Sequence, residues 1–260
     1  MRKILLLATF IIAGAGAVNA AQRPNIIWMF SDDHTRQAIG AYEGILAKLS
    51  PTPNLDRLAK EGMRFDRCYV ENSICAPSRA ALLTGKFSHK HGKKDNIGRF
   101  DHNQQTFPKI LQKAGYQTAI VGKTHLDGKI QGFDHWETLP GQGSYYQPSF
   151  VTKKGMIHEK GYVADVITRK SIDWLNNSRD PEKPFMLMIH HKGTHRTWMP
   201  ALRHISAFND IEVPYPANFW DDYGTRGTAA RVQEMTVKSK MNMRDDLKLR
   251  LQSTAKSKAI

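Results

Sequence analysis

Residues 25–30 read Asn, Ile, Ile, Trp, Met, Phe, and two aspartates, Asp32 and Asp33, follow almost at once. A run this short and this continuously apolar is the pattern of a strand buried on both faces of a parallel sheet. Such a strand needs helices above and below it, so the rest of the chain should alternate strands and helices. It does. Thr52 reads as an N-cap and Pro53 as the first residue of a helix, with Leu55, Leu58 and Ala59 on one face and Gly62 as the stop. The pattern then predicts a strand over Arg64 to Val70, a helix over Pro77 to Leu83 and a helix over Phe107 to Ala114. A strand over Gln117 to Val121, a helix over Val163 to Leu175 and, after Pro184, a strand over Phe185 to Ile189 complete the series. The fold class is α/β. Residues Gln131 to Gln147, rich in Gly and aromatics, read as a long surface loop.

The two ends read differently from the middle. Arg2 and Lys3, an apolar run from Ile4 to Ile12 and the small residues leading to Val18, Asn19 and Ala20 have the layout of a cleavable signal peptide, residues 1–20. The run is far shorter than the ~20 residues of a spanning helix, so the expectation is a periplasmic or secreted protein with no stable membrane insertion. Residues 21–225 then form one main α/β domain. From Arg226 onward, residues 226–260 read as a basic, polar helical tail with scattered methionines, and Ser253 to Ile260 look like a frayed or artificial end. The 38 basic residues exceed the 24 acidic ones by 14, a balance that suits a polyanion such as nucleic acid, an anionic glycan or a membrane surface. The tail alone holds nine Lys or Arg against three acids, so six of those 14 charges say nothing about the domain.

Four clusters carry chemistry. Cys75 stands just before a helix whose first turn contains Pro77, with Arg79 one turn on. A helix N-terminus favours an anionic substrate and lowers a thiol's pKa, so Cys75 reads as a nucleophile or a plain reactive cysteine. A disulfide with Cys68, the other cysteine, is the bland alternative in an oxidising compartment. Asp32 and Asp33 end the first strand, where open α/β sheets place ligand groups, and paired carboxylates suit Ca²⁺ or Mg²⁺; a turn or capping pair is the alternative. Lys123 and His125 follow the strand Gln117 to Val121. His190, His191, Lys192, Gly193, Thr194 and His195 follow the last strand, and a histidine-rich loop of this kind also suits zinc or copper.

The run Cys75, Ala76, Pro77, Ser78, Arg79, Ala80, Ala81, Leu82, Leu83, Thr84, Gly85 resembles the signature of type I sulfatases. Pro53, Asn54, Leu55, Asp56, Arg57, Leu58, Ala59, Glu61 and Gly62 are similar to a second stretch of that family. The resemblance implies an alkaline-phosphatase-like, doubly wound mixed sheet between helices, incomplete here because the similarity runs from about Arg23 to Glu234. It implies that Cys75 is oxidised to formylglycine by a maturation enzyme, and that Asp32, Asp33 and residue 75 bind Ca²⁺. It places Lys123, His125 and His195 on the sulfate or the scissile ester, and Arg79 on the nucleophile or the metal shell. Thr124 stands where the family usually has Trp, and Gly193 and Thr194 where related sequences often have Ala and Pro. The family's later Ser-Asp-His-Gly type segment, with further metal ligands and a sulfate-binding Lys, has no counterpart here.

Residues Leu139 to Tyr146 and the loop His190 to Pro200 look most like bacterial N-acetylglucosamine-6-sulfatases, enzymes of glycosaminoglycan degradation. The implied partner is a sulfated glycan of heparan or mucin type, and no nucleic acid. The competing expectations are an inactive truncated homologue that binds anionic glycans, and a phosphate-ester hydrolase of the same superfamily. A chain that fails to fold stably, because missing strands leave an apolar edge, is the third.

Overall fold

A computed structural model describes residues 23–49 and 52–234, together with 236, 240–242, 244 and 246. The expected signal peptide and the stretch Ser253 to Ile260 lie outside the described residues. Among those described, no helix is long and apolar enough to cross a membrane.

Two strands form the middle of the sheet, β2 (Gln117–Lys123) and β6 (Phe185–His190). Their side chains alternate between two cores. Ala119, Val121, Phe185, Leu187 and Ile189 pack on one face with Val163, Val166 and Ile167 of helix α5 (Val163–Asp173). Ile120, Met186 and Met188 pack on the other with Ala76, Ala80 and Leu83 of α2 (Cys75–Thr84) and with Phe107 and Leu111 of α4 (Phe107–Lys113). The period of two puts successive residues on opposite faces, so a continuously apolar strand demands helices on both. The resulting sheet has six strands in the order β1-β6-β2-β3-β4-β5, where β1 is Ile26–Phe30, β3 His135–Leu139, β4 Ser149–Thr152 and β5 Gly155–His158. The first four strands of that order run parallel, and β4 and β5 add an antiparallel hairpin.

The expected helix at Thr52 is α1 (Pro53–Glu61), capped at Gly62. A short α3 (Ser88–His91) follows α2. Two glycines set local geometry. Gly85 ends α2 with φ +66° and open space around its Cα. Gly122, at φ +111°, lies beside His190 in the β2–β6 pairing, and a Cβ there would sit 2.8 Å from the His190 carbonyl carbon and nearer still to its oxygen.

Three expectations are corrected. The first strand is at the edge of the sheet, not buried on both faces: Ile27 is 52% and Met29 59% exposed, because β1 pairs with β6 on one side and has no neighbour on the other among the described residues. Residues 64–70 are irregular and exposed rather than a strand. The stretch Gln131 to Gln147 is not all loop, since β3 lies inside it; backbone pairing with β2 organises a segment whose side chains show no period. Of the expected helical tail, Thr228–Val232 form a five-residue helix, α6, and most of the remainder lies outside the described residues.

Candidate active site

The carboxyl ends of β1, β2 and β6 and the amino end of α2 meet at one place, and this brings Asp32, Cys75, Arg79, Lys123, His125 and His195 together. Asp32, 5% exposed, receives the ammonium of Lys123, and the Arg79 guanidinium approaches it at 3.6 Å. Lys123 is fully buried and also donates to the Gln142 side-chain oxygen. Arg79 lies in the core between α2 and the sheet. One of its nitrogens donates to the Lys123 carbonyl at 2.5 Å and stands 3.2 Å from His190 Nδ1, and its charge sits over the Phe30 ring at 4.9 Å. Burial and the neighbouring Arg79 push the His190 imidazole down to about 3, so it is neutral in this contact.

Cys75 is the first residue of α2 and is half-buried. Cys68 and Cys75 are both free thiols, so the disulfide alternative is absent. Cys75 Sγ lies 3.8 Å from His195 Nε2. Hydrogen bonding to His125, then to His195, together with the field of Lys123, holds the thiol down at about 6 from an ordinary 9.0, against the opposing effect of burial. The same contact raises His195 above its ordinary value. The helix amides contribute less than the sequence suggests. Asn96 Oδ1 accepts the Ala76 N–H at 3.1 Å, Pro77 has no N–H, and the Ser78 N–H donates to Ile74 O at 2.9 Å. The side chains of Lys123, His125 and His195, rather than free backbone donors, make the surroundings of residue 75 favourable to an anion.

The loop carrying His195 is hung from three tyrosines. The hydroxyls of Tyr145, Tyr162 and Tyr146 donate to the carbonyls of His195, Met199 and Pro200. Lys192, 4% exposed, stacks its ammonium on the Tyr145 ring at 4.7 Å. Asn96, Gln142 and the Tyr145–Lys192 pair are functional neighbours that the sequence reading did not assign to the site. Gln142 and Tyr145 stand in a stretch already singled out by its family likeness, and Lys192 in the histidine loop, but Asn96 carried no signal at all.

The expected calcium ligands do not converge. Among the described residues there is no group of three or more His, Cys, Asp or Glu side chains placed to hold a metal ion. Asp32 faces Lys123 and Arg79, whereas Asp33, in a left-handed conformation at φ 58°, points its exposed carboxylate toward His195 at 3.9 Å. These residues by themselves do not fit a Ca²⁺ ion, which takes six to eight oxygens. A zinc or copper site on the histidine loop has no such group either. By contrast, the surroundings of Cys75 do fit a formylglycine, since two imidazoles reach the end of its side chain and the charge of nearby Lys123 acts on it.

Comparison with known proteins identifies the family and the fold. The family model described as Sulfatase matches residues 24–248. An N-acetylglucosamine-6-O-sulfatase of Bacteroides thetaiotaomicron is 54% identical over 231 residues, covering 88% of this chain and 41% of that protein. A solved structure of a protein in complex with its substrate, D-glucosamine-2-N,6-O-disulfate, is 53% identical with TM-score 0.85, covering 88% of this chain and 46% of that one. A phosphonate monoester hydrolase of Agrobacterium radiobacter shares the fold, with TM-score 0.60 and 18% identity over 82% of this chain and 50% of that one. The chain spans about two fifths of the length of the curated relatives it matches.

Proposed function

The chain belongs to the sulfatase family, and on that premise we propose that it carries the nucleophile side of a site that hydrolyses sulfate esters on glycans. The proposed substrate is 6-O-sulfated N-acetylglucosamine, which the 54% identity to the Bacteroides enzyme and the disulfated glucosamine bound in the solved relative both favour. The observation that carries the reading is the meeting of Cys75, Lys123, His125 and His195 at the carboxyl end of the sheet.

The family generally works with a formylglycine and a divalent metal. Formed from Cys75 by a maturation enzyme, formylglycine would supply a hydrated aldehyde whose hydroxyl attacks sulfur and which resets itself as sulfate leaves. The chain's own residues do the rest. Lys123, held by Asp32 and Gln142, presents a fixed positive charge where the sulfate oxygens gather negative charge. His195 Nε2, 3.8 Å from the residue 75 side chain, holds the proton that the leaving sugar oxygen requires, and His125 is the second imidazole on that side chain. Arg79 binds the Lys123 carbonyl and stands beside His190, which fixes residue 75 against the two central strands. Among the described residues the oxygen donors do not form the cage that calcium takes. The domain division at residues 20 and 225 and export through the signal peptide belong to the same proposal.

Peptide mass spectrometry across residues 68–79 of protein from its native host tests the maturation step, and an aldehyde at residue 75 is the expected result. An unmodified thiol there removes the basis for sulfatase chemistry. Paired assays on sulfate and phosphate esters of N-acetylglucosamine then test the reaction, and turnover of the phosphate ester alone would replace it with phosphate-ester hydrolysis.

A further inference from the structure

Strands β3 and β4 are neighbours in the sheet but pair at a single position, Thr138 with Val151. β3 is paired to β2 along its whole length, so its amino half is held on that side and open on the other among the described residues. The β4–β5 hairpin is paired from Ser149 and His158 down to Thr152 and Gly155, and its turn stands off from that half of β3. Between them lies a cleft of about 390 Å³, walled by His135, Trp136 and Glu137 on one side and by Lys153 and Lys154 of the turn on the other. The cleft is separate from the site around Cys75. His135 lies beside Ala119, four positions before Lys123 in β2, so at about 3.3 Å per residue it opens about 13 Å from the catalytic end of the sheet.

The β3 wall is fixed and electrically balanced. Lys170 of α5, 8% exposed, donates to Glu137 at 2.5 Å and reaches Glu159 at 2.7 Å, while Arg169 donates to Glu159 at 2.8 Å. His135 Nε2 stands 3.2 Å from the other Glu137 oxygen. With the Glu137 charge answered from behind, the charges left at the cleft are the ammoniums of Lys153 and Lys154, both exposed. Trp136 is half-buried and packs against the core of Ile120, Met186 and Met188, which sets its ring, and Lys153 Nζ stands over that ring at 5.2 Å. A fixed aromatic face beside mobile ammoniums suits a sugar ring that bears an anionic group. The apolar face of the sugar packs on the indole, and its sulfate or carboxylate draws the lysines from ring to anion.

We propose that this cleft is a second, non-catalytic binding site for one anionic sugar unit of a glycan chain, with Trp136 as the stacking face and Lys153 and Lys154 as the anion contacts. The choice of a sugar over another stacked anion rests on the glycan reading above, whereas binding at the cleft needs neither residue 75 nor sulfate release. A chain held here stays near the catalytic end of the sheet, which raises the effective concentration of its ester groups there.

The test titrates the 260-residue chain with a heparin hexasaccharide by calorimetry, beside the neutral hexasaccharide cellohexaose and an oligothymidylate. Heparin should bind about tenfold or more tightly than either. The pair Lys153→Gln and Lys154→Gln should weaken heparin binding about tenfold with the thermal midpoint unchanged, because both side chains are exposed. Trp136→Phe, which keeps the packing on the core, should weaken it about threefold. Acetylation of lysines read by peptide mass spectrometry should slow at Lys153 and Lys154 when heparin is bound, while exposed Lys86 and Lys90 stay reactive. Heparin binding that ignores both glutamines, or protection at Lys86 and Lys90 without protection at the turn, would overturn the proposal. So would cellohexaose or oligothymidylate binding as tightly as heparin. Heparin bound at the turn by a chain that releases no sulfate would count against the proposed reaction and leave this site standing.

Discussion

Replacing Gly122 by Ala should cost far more than its single methyl group suggests. At φ +111° an L-residue is strained by about 1–3 kcal/mol wherever it sits. The added Cβ would also stand 2.8 Å from the His190 carbonyl carbon, whereas carbon atoms settle at about 3.5 Å or more, so β2 and β6 must part by at least roughly 0.7 Å. That displacement weakens one or two ladder hydrogen bonds at about 1 kcal/mol each, for a total of about 2–5 kcal/mol. For a domain of this size the midpoint of thermal unfolding should fall by about 2–4 °C per kcal/mol. Gly85→Ala is the matched control, because its φ is +66° but nothing stands within 4 Å. Equilibrium unfolding in urea, followed by far-ultraviolet circular dichroism and by the buried Trp174, should rank Gly122→Ala well below Gly85→Ala. Equal losses, within about 0.5 kcal/mol, would refute the close approach of Gly122 to His190 as the reason for glycine there.

Three further outcomes are expected. Lys123→Met keeps the packing but leaves Asp32 buried with Arg79 at 3.6 Å as its remaining counter-ion, so it should cost about 3–5 kcal/mol in urea unfolding, and the double change with Asp32→Asn should recover most of it. In protein made without the maturation enzyme, alkylation of Cys75 read by peptide mass spectrometry should rise through a midpoint near pH 6 rather than 9, and His125→Ala or His195→Ala should move that midpoint upward. Because the folded thiol is depressed, its contribution to stability is complete above about pH 9 and disappears as pH falls through about 6; a midpoint near 9 would sink this account of the site. Asn96→Ala should unseat the Ala76 amide and lower thermal stability by about 1 kcal/mol, with Asn96→Asp retaining most of it; equal loss in both would remove the capping role.

What the sequence made legible follows the physics of each segment. β2 and β6 lie in the middle of the sheet, so their near-continuous apolar pattern matches their surroundings and both were readable. α2 and α5 were readable because each covers one face of those strands. β1 carries the same kind of pattern, and its reading failed in environment rather than in type: a strand's sequence records the burial it is suited to, and not whether a neighbour is present. β3 was missed because His135, Trp136, Glu137, Thr138 and Leu139 show no alternation, and pairing to β2 supplies what propensity does not. At the site, Cys75, Lys123, His125 and His195 were legible through local motifs. Asn96 and Gln142 were not, since each reaches the site from a loop fixed by contacts distant in sequence. The calcium expectation transferred ligands one by one, but coordination is a property of several side chains at once, and Asp32 faces cations instead.

The three tyrosines that carry the His195 loop bear on how this family can vary. A segment held at His195, Met199 and Pro200 from outside takes its orientation from Tyr145, Tyr146 and Tyr162, not from the stiffness of its own backbone. Gly193 and Thr194 within the loop then need not be stiff themselves, because its moorings restore the rigidity that its backbone lacks. Tracing which tyrosines persist among kin is thus a way to see which loops are free to change.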